Sequence, residues 1–351
     1  MSEWNRLTMS RRHLSLLLAS AALVVPGAAR GEGSEAKLVE AARKEGKVVF
    51  YTAIELGVGE KIAAAFEKKY PGVSVQVERT GSERVFQRIA QERASNIHTV
   101  DVINSSDAAH FITWKKDAAL ARYVPADFAT NFDSRYADAD GTYFPFRVTL
   151  SPIVYNTRLV KPDEAPKSFA DLLDPKWSGK IVKAHPGYSG TIMTSTYETV
   201  QTLGWGYLEK LAKQHVMQVQ SATEPPKKVA QGERPIMMDG SEYVAIGLKD
   251  KGAPLAFVYP TEGTPLVVSP SAVYAQAPHP SAARLFQDFL FSTEAQQQLV
   301  TAGGLRSFHK GVKPRPDLPP LGEIKLMKED AAAVEKMGDE IKEHYSKLFG
   351  V

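Results

Sequence analysis

No cysteine occurs in the 351 residues, which excludes disulfides, thiolate metal sites and a cysteine nucleophile together. Long apolar runs are missing too. The longest apolar segment, Leu14–Val25, falls short of the roughly 20 residues a helix needs to span a bilayer. Charge of one sign is scarcely in excess: the formal balance is +3, which gives no support for nucleic-acid or membrane-surface binding. There is no H-E-x-x-H, no G-x-S-x-G and no P-loop. His98, His110, His185, His215, His279 and His309 are scattered without metal-ligand spacing. An exported enzyme is therefore the weaker alternative to a binding protein, because nothing in the chain pairs a nucleophile with a base.

What is present begins with an address. Ser10-Arg11-Arg12-His13-Leu14 is a twin-arginine pattern, followed by the apolar segment and the small residues Gly27-Ala28-Ala29. Cleavage near Ala29 is expected, leaving a periplasmic protein. Loss of Arg6, Arg11, Arg12 and Glu3 with residues 1–29 takes the formal balance from +3 to +1. The remaining length allows two or three domains.

Gly46–Asp107 organises the rest. Val48–Tyr51 is a β-prone run; from Val58, apolar Ile62, Ala65, Phe66 and Tyr70 recur at helical spacing until Pro71-Gly72 stops them. Val73, Val75 and Val77 alternate with polar residues as a second strand. Ser82 is placed to cap a helix carrying Val85, Phe86 and Ile89, and Val100–Ile103 is a third strand. This β-α-β-α-β order predicts an open parallel sheet with helical crossovers. In such sheets ligands sit beyond the carboxyl ends of the strands, so Thr52, Ala53, Ser105 and Ser106 are candidate contacts. Caps and turns of any α/β sheet use the same residue types.

Tyr143–Tyr155 is β-rich but broken by Pro145 and Pro152, as expected of a strand that bends from one lobe into another. A second α/β pattern follows, and Pro265–Gln276 reads as a return crossover. The expected organisation is residues 30–148 in a first lobe, 149–264 in a second, and 265–351 returning to the first with terminal helices. The tail Glu323–Leu348 is expected to be a helix packed on the body, with Met327, Val334, Ile341 and Leu348 on one face.

Several stretches occur in an order that resembles a known family. They are Lys47–Thr52, Tyr70-Pro71-Gly72-Val73, Val100–Asp107, Val154-Tyr155-Asn156-Thr157, Phe169–Lys180, Ala277–Ala283, Phe289–Gln296 and Gly303-Gly304. The chain resembles type II periplasmic solute-binding proteins of ABC importers, in the branch that includes ferric-iron-binding proteins. The resemblance implies an α/β fold of two lobes, each a central sheet flanked by helices, joined by a two-strand hinge. It implies a monomer without cofactor that captures a small solute and delivers it to an inner-membrane permease.

Ferric-iron members carry a tandem tyrosine pair in the second lobe and an arginine before the V-Y-N segment. Here the first position reads Asp239-Gly240-Ser241-Glu242-Tyr243, with one tyrosine, and Thr149 stands where the arginine is expected, with Arg147 nearby. If iron were the cargo, Tyr155, Tyr243 and Glu242, with Asp239, would be the oxygen donors such a hard cation needs. An organic or phosphorylated anion fits better. Ser189, Gly190 and Thr191 open a helix whose N-terminus favours negative charge, and Arg147 is a candidate anion fork. Tyr51, Tyr155, Tyr188 and Tyr243 are candidate aromatic walls. The anion is expected between the Ser105-Ser106 loop and the Ser189–Thr191 helix start, held by N–H donors.

Overall fold

The computed structural model describes residues 32–351, so the leader and its cleavage site lie outside the described residues. Two five-stranded sheets carry the fold. After α1 (Glu32–Glu45), the first sheet begins with β1 (Lys47–Thr52), α2 (Leu56–Lys69), β2 (Ser74–Arg79), α3 (Ser82–Ala94) and β3 (Val102–Asn104). These three strands are mutually parallel, as the alternation of patterns requires. β3 starts two residues later than Val100 because Asp101, fully buried, takes the Val49 N–H (2.7 Å) and the His279 ring (2.8 Å) with its carboxylate. Helices α4 (Ala108–Lys116) and α5 (Phe128–Asn131) lead to β4 (Phe144–Leu150).

Only Ser151 and Pro152 separate β4 from β5 (Ile153–Asn156), which belongs to the second sheet. That sheet is completed by β6 (Ile181–Ala184), α6 (Gly190–Leu203), α7 (Trp205–Ala212), β7 (Met217–Val219) and α8 (Glu224–Gln231), then β8 (Ile236–Met237), α9 (Glu242–Asp250) and β9 (Leu255–Val258). Its order is β7-β6-β8-β5-β9. The chain then re-enters the first sheet as β10 (Leu266–Val273), which lies antiparallel between β3 and β4 and gives the order β2-β1-β3-β10-β4. Leu150 faces Leu266 across that pair, so both crossings leave the first sheet side by side. The expected bend at Pro145 is a bulge instead: the β4–β10 register shifts between Ser269 and Pro270, opposite Pro145.

Each lobe has its own core. In the first, Phe50, Phe66, Phe286 and Phe289 meet largely edge to face at 5.0–5.5 Å, the last two from α10 (Pro280–Phe291). Helix α11 (Thr293–Thr301) follows, capped by Ser292, whose hydroxyl accepts the Ala295 N–H. In the second lobe Ile153, Tyr155, Phe169, Trp177 and Tyr207 pack under the sheet.

The tail differs from expectation. Helix α12 (Ala331–Phe349) begins well after Glu323, and Met327 precedes it. It lies across both lobes: Val334 and Ile341 pack with Ala109 of the first lobe and with Met193 and Tyr197 of the second. Two carboxylates lie near the hinge, Glu198 fully buried and Glu329, just before α12, half-buried. Glu198 of α6 accepts the Leu266 N–H at 2.9 Å. Burial first, then the neighbouring Asp330 charge, raises the Glu329 carboxyl from 4.5 to about 7. A carboxyl whose folded value is raised holds its proton more tightly than the unfolded chain does, so it contributes stability below about 4.5 that is lost by about pH 7. We expect wild-type stability to fall from pH 5 to pH 8 by up to roughly 3 kcal/mol, and the fall to shrink in Glu329→Gln. Urea unfolding at both pH values checks this; an equal fall in the variant assigns the titration to another group.

Candidate functional site

The carboxyl ends of β1, β2 and β3 face the second lobe, and polar side chains gather there. Thr52 ends β1, fully buried; its hydroxyl donates to Asn104 Oδ1 (3.0 Å) and accepts the Ile54 N–H (3.1 Å). Ala53 donates its N–H to the Asn104 carbonyl (3.1 Å). Asn104 is the hub, because its Oδ1 also accepts Arg147 Nε at 3.2 Å, from β4 across β10. Arg147 is 1% exposed and has no carboxylate partner among the described residues. Burial depresses its pKa, and the neighbouring Arg79 pushes the same way against the opposing influence of Tyr243. Arginine nonetheless stays charged, so this is a buried cation. Ser269 pairs with Arg147 across the strands, which puts both on one face. The Ser269 hydroxyl is buried without a hydrogen-bond partner among the described residues.

Tyr243, in the first turn of α9, reaches from the second lobe toward the same point. Its hydroxyl accepts the Glu55 N–H at 3.0 Å, and its ring centre lies 5.9 Å from the Arg147 guanidinium carbon. Burial raises the phenol pKa, with Arg147 the largest opposing influence.

A second contact between the lobes lies at the start of α6. Ser106 Oγ donates to Ser82 Oγ (3.3 Å), and Ser82 Oγ accepts the Gly190 N–H (2.6 Å). Ser82 opens α3 but does not cap it; Gly81 occupies the cap position and the hydroxyl crosses the cleft. A Cβ on Gly190 would stand 2.4 Å from Asp107 Cβ. The group that approaches Gly190 this closely is the first lobe's Asp107. Ser189 occupies the cap position of α6 without a side-chain bond, Thr191 is buried in its first turn, and Ser105 Oγ accepts the Asp107 N–H at 3.2 Å.

Three expected residues are held elsewhere. Tyr155 is packed in the second lobe's core. Asp239 is paired with Lys183 at 2.7 Å, both fully buried. Glu242 receives Arg306 through Nε and Nη2, both at 2.9 Å, and the Tyr259 hydroxyl at 2.8 Å. Of the remaining aromatic candidates, Tyr51 donates to Glu92 (2.7 Å) behind the sheet, and Tyr188 is exposed. Asn104, Ser82, Arg79 and Ser269 were not foreseen. Asn104 adjoins the Ser105-Ser106 loop in sequence, whereas Ser269 becomes visible only through its pairing with Arg147.

Two α/β lobes, joined by paired crossing strands and meeting over a polar cleft, define a two-lobe periplasmic-binding architecture of type II. The chain belongs to the bacterial extracellular solute-binding protein family, whose model matches residues 61–326. It is 23% identical over 348 residues to "Iron uptake protein A1" of Synechocystis sp., spanning 93% of this chain and 94% of that one. Over 153 residues, 42% of each chain, it is 31% identical to the "Putative 2-aminoethylphosphonate-binding periplasmic protein" of Salmonella typhimurium. Among solved structures, the periplasmic binding protein AfuA from Actinobacillus pleuropneumoniae, with fructose-6-phosphate bound, superposes with a TM-score of 0.80 at 24% identity, over 88% of this chain and 99% of that one.

Two outcomes follow from this geometry. Gly190→Val should prevent the lobes from meeting, since the new side chain collides with Asp107; scattering should give a larger radius of gyration than wild type. An equal radius would mean that the contact yields. Arg306→Ala should lower stability by about 3–5 kcal/mol, because it leaves Glu242 buried and unpaired. A loss under about 1 kcal/mol in urea unfolding would mean that water or Tyr259 replaces the pair.

Proposed function

We propose that this protein is the periplasmic binding component of an ABC importer and that its cargo is a small anion bearing a phosphate, phosphonate or carboxylate. The carrying observation is Arg147, buried with an amide oxygen and a tyrosine ring beside it but no carboxylate partner among the described residues. An unpaired buried cation costs several kcal/mol. An anion entering between the lobes offsets that cost, and the Ser269 hydroxyl on the same face adds a donor. Two of the three relatives named above are described with a phosphorus oxyanion as ligand.

The iron reading draws support from the relative matched over nearly the full chain. Against it, Glu242 and Asp239 are committed to Arg306 and Lys183, and Tyr155 is core. That leaves Tyr243 alone among the expected donors, and hard ferric iron needs several anionic oxygens. The mature chain starts after cleavage near Ala29, acts as a monomer and performs no chemistry on its cargo. The paired crossings at Leu150 and Leu266 serve as the hinge.

The test is calorimetry with fructose-6-phosphate, 2-aminoethylphosphonate, inorganic phosphate and ferric citrate, guided by native mass spectrometry of protein purified without additions. Arg147→Gln should weaken binding of the preferred anion by roughly tenfold or more. Wild-type affinity in a folded Arg147→Gln protein removes the anion site. A tyrosinate–iron absorption band lost in Tyr243→Phe would establish iron instead.

A further inference from the structure

A groove of about 410 Å³ runs between the lobes from the surface to Tyr243. Lys61 of α2 lines it from the first lobe, and Lys227 of α8 and Lys251, just after α9, line it from the second. None of the three ammonium groups has an ion pair or hydrogen bond among the described residues, and all three residues are exposed. The acids of the same groove are committed. Glu55 Oε2 accepts the Val58 N–H (3.2 Å) as the cap of α2, and Asp250 receives both Nη atoms of Arg315 at 2.8 and 2.9 Å. The floor of the groove is the tyrosine whose ring lies beside Arg147.

We propose that this groove is the entry of the cleft and a transient outer site for anions. Lys61, Lys227 and Lys251 attract a phosphorylated or phosphonate solute and hand it to Tyr243 and Arg147. The proposal rests on the anion reading above and adds the route and the rate. Unpaired cations around a concave mouth with low-dielectric walls concentrate an oppositely charged ligand and speed its association. Because the lysines stand at the surface, their action is screened by salt, unlike that of buried Arg147. Because both lobes supply them, closing brings like charges together, and an anion between them offsets that repulsion.

The experiment is stopped-flow intrinsic fluorescence of the triple variant Lys61→Gln, Lys227→Gln, Lys251→Gln, with fructose-6-phosphate, 2-aminoethylphosphonate and inorganic phosphate as probes. At low ionic strength the association rate should fall about tenfold, with the largest loss for the most highly charged probe, and variant and wild type should converge near 0.5 M salt. The dissociation rate should stay within about twofold, since the lysines do not hold the seated ligand. An unchanged association rate at low salt, or an equal loss at every salt concentration, overturns the proposal. Arg147→Gln is run alongside and should act on dissociation. If it binds as wild type does, the Arg147 reading fails while the groove is still judged on its rates; if none of the probes binds wild type, both fall.

Discussion

A positive charge buried without an anion is the constraint from which the site follows. Asn104 fixes the Arg147 Nε and the Tyr243 ring lies beside the guanidinium, while the enclosure that buries it imposes the cost. Each support comes from a different part of the chain. Asn104 ends a parallel strand of the first lobe, and Tyr243 starts a helix of the second. Arg147 itself lies in the strand that becomes the crossing. Displacing any of them changes the surroundings of a charge that cannot be neutralised by losing a proton. In the proposed anion site, lobe arrangement and ligand charge are thereby linked through one residue.

The polar groups around it fall into two kinds. Some are satisfied within the protein and act as scaffold: Lys183 with Asp239, and Glu242 with Arg306 and Tyr259. They are buried ion pairs, which fix geometry more reliably than they add stability. Others keep spare capacity, chiefly Arg147 and the Ser269 hydroxyl. An acid or a tyrosine read as a donor from sequence can belong to either kind, and only its neighbours decide. That is why Asp239 and Glu242, within four residues of Tyr243, do not share its position in the cleft.

Much of the fold was legible because it rests on local patterns. Strand and helix periods placed β1, α2, β2 and α3 within a few residues, and Pro152 marked the passage from one sheet to the other. Boundaries slipped where a side chain took over from the backbone: Asp101 delays β3, and Ser82 gives up its expected cap to reach Gly190. The site was legible in its loops but not in its partners. Gly190 was recognisable as part of a helix start facing the other lobe's loop, yet nothing local in the chain says that Asp107 comes up against it. Ser269 as a neighbour of Arg147 depends on a register set over a hundred residues away.

Helix α12 has a mechanical consequence. It joins the second lobe through a largely aromatic face, with Tyr345 fully buried in that core, Phe349 stacked on Tyr345 at 4.4 Å, and Trp205 stacked on His344 at 3.9 Å. Its ties to the first lobe are lighter: Ala109, and the ion pairs Lys116–Glu335 (2.7 Å) and Lys342–Glu83 (3.4 Å). Partly exposed ion pairs of that kind contribute about 0–1 kcal/mol each, whereas burying large aromatic rings contributes several times more. The helix is therefore a detachable clasp, riveted to one half and merely buttoned to the other. In any parting of the halves, this difference keeps α12 with the second lobe, so a probe on its last turn follows that half.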